Sequence, residues 1–117
     1  MKPIKVFGDY VVCFEAEPEY LDMRHHFVKE CGWTQEQFAK IQDFAWFSAK
    51  VSIWKDGKEL AADYLGACCY ETEDEFWTTY EGDYFVEMVR HCAEELGDKQ
   101  LLAQVLTWRA TFKGVVA

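Results

Sequence analysis

From Phe47 to Ile53, apolar residues alternate with Ser48, Lys50 and Ser52, the period-two signature of a strand with one buried face. Asp56-Gly57 follows. Both residues accept the positive φ of a tight two-residue turn, so the pair predicts a hairpin returning through Glu59–Tyr70. Gly66, inside the second arm, marks a bulge or a close approach by another backbone. Lys5–Glu15 is also rich in β-formers (Val6, Tyr10, Val11, Val12, Cys13, Phe14), with Gly8-Asp9 supplying a bend or bulge between two short extended pieces, and it reads as one N-terminal strand joined to the sheet.

Helical spacing takes over elsewhere. Pro18 suits a first helical position, and Tyr20, Met23, Phe27 and Cys31 then fall on one stripe that Gly32 closes. Thr34 and Gln37 form a capping box, and Trp33 is placed to staple against Phe38, so a short helix is expected from about Gln35 to Asp43. Thr72 and Glu75 suggest a second capping box, with Phe76 and Tyr80 one turn apart behind it. Gly82-Asp83 interrupts this run, and Asp83 caps a further helix whose inner stripe is Phe85, Val89, Cys92 and Leu96 and which Gly97 ends. The last segment is ambiguous: Leu101, Val105, Trp108 and Phe112 fit a helical stripe, yet Leu106, Trp108, Ala110 and Phe112 also alternate with polar residues. Its first half reads as helix, and Thr107–Lys113 stays open as an edge strand.

These elements describe an α+β domain spanning residues 1–117, with a small antiparallel sheet built on the central hairpin and packed against three to five helices. At 117 residues, half of them apolar and 17% aromatic, the chain has enough material for its own core. The N-terminal residues lack the apolar run and cleavage site of a secretory signal, and no stretch is apolar enough to span a bilayer. A soluble, cytoplasmic protein is therefore expected. The five cysteines show no paired spacing, which fits thiols packed as small hydrophobes in a reducing compartment.

Charge changes the picture. Between Glu71 and Asp98 stand ten acids and one base, so this segment carries the entire net charge of −9 while the remaining 89 residues balance. Concentrated like charge steers association toward something basic and disfavours direct binding to nucleic acid or to an anionic membrane. On consecutive helices Asp74, Thr78 and Glu81 would face away from Phe76 and Tyr80, and Glu87, Arg90 and Glu94 away from Val89 and Cys92. The candidate partner-binding set is therefore Glu73, Asp74, Glu75, Glu81, Asp83, Glu87 and Glu94 for charge, with Trp77 and Tyr80 for buried contact area. The competing account is a solvated outer face, with Arg90 pairing one turn away to Glu87 and Glu94.

A short, acidic α+β chain without an enzyme signature resembles, in general character, the small counter-defence proteins of phages and plasmids, the anti-CRISPR and antirestriction inhibitors. That resemblance implies stoichiometric inhibition of a basic, nucleic-acid-binding protein or nucleoprotein complex in the host cytoplasm. The group shares no motif, so it assigns a role to no residue.

Other chemistries have thinner support. His25-His26, His91-Cys92 and Cys68-Cys69 are adjacent pairs without the two-to-four-residue gaps of a zinc site, so no metal or other cofactor is expected. For nucleophilic catalysis, the region after Gly66 offers Cys68 or Cys69, with His25, His26 or His91 as base, giving a small cysteine-dependent enzyme or small-molecule-binding protein as the alternative. No phosphate-binding loop, dinucleotide fingerprint or zinc-protease motif occurs, and a non-enzymatic protein is expected. Trp46 and Trp54 lie on the polar face of the first hairpin arm. Either they are half-exposed and seat a second copy, as a homodimer, or a partner, which would make the chain a self-associating structural or regulatory module, or a helix covers them.

Overall fold

Two tight turns set the sheet. In a computed structural model describing residues 1–78 and 83–116, with side chains described for 1–78 and 84–111, strand β1 (Lys2–Phe7) turns through Gly8-Asp9 into β2 (Tyr10–Pro18). Strand β3 (Ala45–Lys55) turns through Asp56-Gly57 into β4 (Lys58–Tyr70). Gly8 has φ 61°, and Asp56 and Gly57 have φ 52° and 74°, the left-handed values that two-residue hairpin turns require. All neighbours are antiparallel in the order β1-β2-β3-β4, so the N-terminal segment expected as one bent strand is two strands of a hairpin, reversed by the Gly8-Asp9 turn. The fold is α+β, as the hydrophobic pattern indicates.

The alternation in β3 decides which side is buried. Phe47, Ala49, Val51 and Ile53 are at most 2% exposed, and register places Val12 beside Ile53 and Phe14 beside Val51 on the same face. From β4, Ala61 pairs with Ile53 and Cys68 with Phe47. Against this face pack α2 (Glu75–Thr78), α3 (Asp83–Leu96) and α4 (Lys99–Val116). Phe76, Phe85, Val89, Cys92, Leu101 and Val105 join one continuous core with the strands. The shortest dimension of the molecule is 20 Å, room for one sheet and one helical layer at the usual spacing of about 10 Å.

The other face of the sheet is largely uncovered. The excursion between β2 and β3 reaches it, where Phe27 and His26 lie 5.7 and 5.5 Å from Trp46. The helix expected to begin at Pro18 does not form there. Pro18 ends β2, Tyr20 is 92% exposed, and ordered helix is confined to a short piece ending in a π-helical turn, His25–Glu30. Glu19 turns its carboxylate onto backbone N–H groups and leaves the chain no helical start. Helix α1 (Gln35–Ala39) forms with the expected capping box and ends before Asp43.

Two further differences have identifiable causes. Glu75 accepts the N–H of Glu71 at 3.3 Å, and α2 starts at Glu75 itself without the Thr72 box. The C-terminal segment is helix through Val116, so Thr107–Lys113 is no edge strand. There Trp108 reaches inward between Phe7 and Phe85, at 5.8 and 6.1 Å, contacts that only the helical stripe brings together.

Phe76 is fully buried, stacks on Phe14 at 5.6 Å and meets Tyr70 and Phe85 edge-on, so it joins sheet to helices. Phe76→Ala is expected to cost about 3–5 kcal/mol of stability, read from urea denaturation, whereas Tyr20→Ala should be silent.

Candidate functional site

The acidic segment is divided between two places. Ahead of α2, Asp74 Oδ2 accepts from Lys2 Nζ at 2.6 Å and Oδ1 from Trp77 Nε1 at 3.2 Å. The Lys2 hydrogen bond is the main reason the Asp74 carboxyl lies below its ordinary range. Trp77, expected as an exposed anchor, is half-buried against the core with the Lys2 ammonium 5.8 Å from its ring centroid. Its packing removes most of the area it was expected to offer a partner. Glu73 is exposed, and Glu75 is partly covered.

On α3 the carboxylates fold into ion pairs. Glu87 is half-buried, accepts from Arg90 Nε at 2.8 Å and also pairs with Arg109 from α4, which ties the two helices together. Arg90 reaches Glu94 as well, and its guanidinium pKa is raised, first by the Glu87 hydrogen bond. Asp98 is structural: Oδ1 accepts the N–H groups of Gln100 and Leu101 at the start of α4, while Oδ2 accepts from Tyr10 Oη at 2.7 Å. These bonds hold its carboxyl low, the Leu101 N–H foremost, and the Asp98 hydrogen bond raises the Tyr10 hydroxyl.

Tyr80 and Glu81 lie outside the described residues, and Asp83 is described only as the first backbone position of α3. What remains uncompensated is Glu71, Glu73 and Glu95, exposed and without an ion pair among the described residues, beside exposed Glu94. Glu71 and Glu95 were missed as site residues, because only the fold shows which acids its few bases neutralise.

Burial removes the expected nucleophiles. Cys68 is 4% exposed and burial pushes its thiol up to about 11; Cys92 is pushed up to about 12, also by burial. Burial raises the Cys69 and Cys13 thiols too. Cys31, expected on the buried stripe of a helix, is instead exposed, with Sγ 3.8 Å from His26 Nε2. Their five-residue separation has no meaning in an α-period, so nothing in the pattern marked the pair. Among the described residues, no group of three or more His, Cys, Asp or Glu is arranged to hold a metal ion. No helix there is long and apolar enough to cross a membrane.

An open groove of about 610 Å³ runs between β1 and α4, floored by Phe7 and Trp108 and walled by Lys5, Gln104 and Thr107. A smaller hollow of about 370 Å³ borders the β4 bulge at Gly66 and Ala67. Glu19 occupies that bulge: Oε2 accepts the Ala67 N–H at 2.7 Å and Oε1 the Leu21 N–H at 3.0 Å. A Cβ on Gly66 would stand 3.1 Å from the same carboxylate, so glycine gives it room. No known family, curated protein or solved structure matches this chain.

The Ala67 N–H, then that of Leu21, holds the Glu19 carboxyl below its ordinary range. A depressed folded value stabilises above the unfolded carboxyl range and ceases to do so as pH falls through it. Glu19→Gln should therefore lose about 1 kcal/mol near neutrality, and the difference from wild type should vanish in acid; urea titrations across that range check this.

Proposed function

We propose that this chain is a non-enzymatic protein-binding module that presents acidic side chains to a basic, nucleic-acid-binding partner and inhibits it by occupancy, in the manner of the small counter-defence proteins it resembles. One observation supports this above others. Ten carboxylates fall within Glu71–Asp98, and the cations that reach them by ion pair among the described residues are Lys2, Arg90 and Arg109, which leaves a surplus at Glu71, Glu73 and Glu95. Such a surplus raises the encounter rate with a basic groove and repels nucleic acid itself. Binding would draw on charge more than on Trp77, whose ring is already engaged.

The test is affinity capture from host lysate at about 0.1 M and about 0.5 M salt, since screening shortens with ionic strength. A basic nucleic-acid-binding protein retained at low salt should be lost at high salt, and lost at low salt from the variant Glu71→Lys, Glu73→Lys, Glu95→Lys. Among the described residues these three lie outside the ion pairs, so the variant should melt like the parent. Undiminished capture by the variant would refute the acidic-surface mechanism.

A second reading is self-association through the uncovered sheet face, favoured by the aromatic and apolar residues on it. Register aligns Val6, Val11 and Trp54 across three strands, with Val6 59% exposed. Tyr64, 56% exposed, stands opposite Lys50 on β4. Trp54 is half-buried and donates Nε1 to Ser52 Oγ at 2.8 Å, lying along the sheet. If this face joins two copies, sedimentation should report a dimer in wild type and a monomer in Val6→Glu, Tyr64→Glu.

A further inference from the structure

In an α-helix, residues five apart stand about 140° round the axis from one another and their side chains do not meet. His25–Glu30 is wound as a π-helical turn, and the Cys31 N–H donates to the His26 carbonyl at 3.0 Å, the five-residue bond that defines that winding. It places the Cys31 thiol 3.8 Å from His26 Nε2. On the other side of the same ring, Nδ1 lies 3.4 Å from Glu30 Oε2, an ion-pair contact outside hydrogen-bonding geometry. Thiol, imidazole and carboxylate thus stand in line, the order in which a base activates a nucleophile and an acid orients the base.

The surroundings hold the imidazole still. Phe27 meets it edge-on at 5.0 Å and Trp46 lies 5.5 Å away, with the indole fixed by its Nε1 bond to the Leu21 carbonyl at 2.8 Å. Glu30 also faces His25 Nε2 at 3.7 Å, and the Glu19 carboxylate adds its field at His26. Cys31 is the exposed member of the five thiols, Cys13, Cys68 and Cys92 being buried and Cys69 partly covered.

We propose that Cys31 is a nucleophilic thiol which, with His26 as base and Glu30 orienting the imidazole, exchanges with small disulfides such as glutathione disulfide and carries the mixed disulfide that results. His26 Nε2 takes the thiol proton, and Cys31 Sγ attacks one sulfur of the disulfide. A new S–S bond forms on Cys31 while the old one breaks, and the departing thiolate takes the proton from the imidazolium. The small disulfide is the oxidant, reduced to one free thiol and one protein-bound half. This site is independent of the acidic surface.

The native chain is treated with an aromatic disulfide that releases a coloured thiolate, and with glutathione disulfide read by intact mass and peptide mapping. One thiol should react ahead of the other four and map to Cys31. His26→Gln should slow it about tenfold or more near neutral pH, and Glu30→Gln by a smaller factor. Both differences should close by about pH 10, where an unassisted thiol is ionised without help. Near-ultraviolet circular dichroism checks each variant's fold. If His26→Gln does not fold, Glu30→Gln and the comparison of native with urea-unfolded wild type decide. A fast thiol at Cys69, a Cys31 rate no greater than in the unfolded chain, or a rate indifferent to folded His26→Gln would overturn the proposal.

Discussion

Burial of one face of β3 is the constraint on which the rest of the molecule depends. Phe47, Ala49, Val51 and Ile53 sit at the centre of the sheet with paired strands on both sides, so their side chains can leave water only if a second layer covers them. That requirement places α3 and α4 on one side, gives Phe76 its position between layers, and leaves the opposite face with no comparable demand. The lighter cover on that face follows directly: Ser48 and Lys50 tolerate solvent, and buried Ser52 accepts from Trp54 Nε1.

The sheet was legible because its signals are local and redundant. Alternation, the Asp56-Gly57 turn and the Gly66 bulge each point to the same β3–β4 pairing. The C-terminal helix was not decidable, because Trp108 belongs to both candidate patterns and the contact with Phe7 and Phe85 that settles it spans most of the chain. The 19–44 excursion misled for a different reason. Its stripe of Tyr20, Met23, Phe27 and Cys31 is sound as periodicity, but Glu19 binds backbone N–H groups of β4 and Leu21, and the winding that follows is not α.

The charged residues show the same division. That the negative charge lies within Glu71–Asp98 is plain from composition, whereas its availability depends on Lys2 and Arg109, which arrive from opposite ends of the chain. Such long-range neutralisation has no sequence signature. Glu87 thereby serves as a clamp between helices, Asp98 as a cap, and Asp74 as an anchor for the first strand, so much of what composition suggests is a surface is internal structure.

The Glu19 clasp on the β4 bulge has one more effect. Strand β4 is a sheet edge of 13 residues, and an uninterrupted edge of that length is a template on which further strands can add without limit. At Ala67, φ 55° turns the backbone out of the strand path, and its N–H is bonded to the Glu19 carboxylate. The edge is thereby split into two short runs, neither with the flat continuity that fibrous stacking needs.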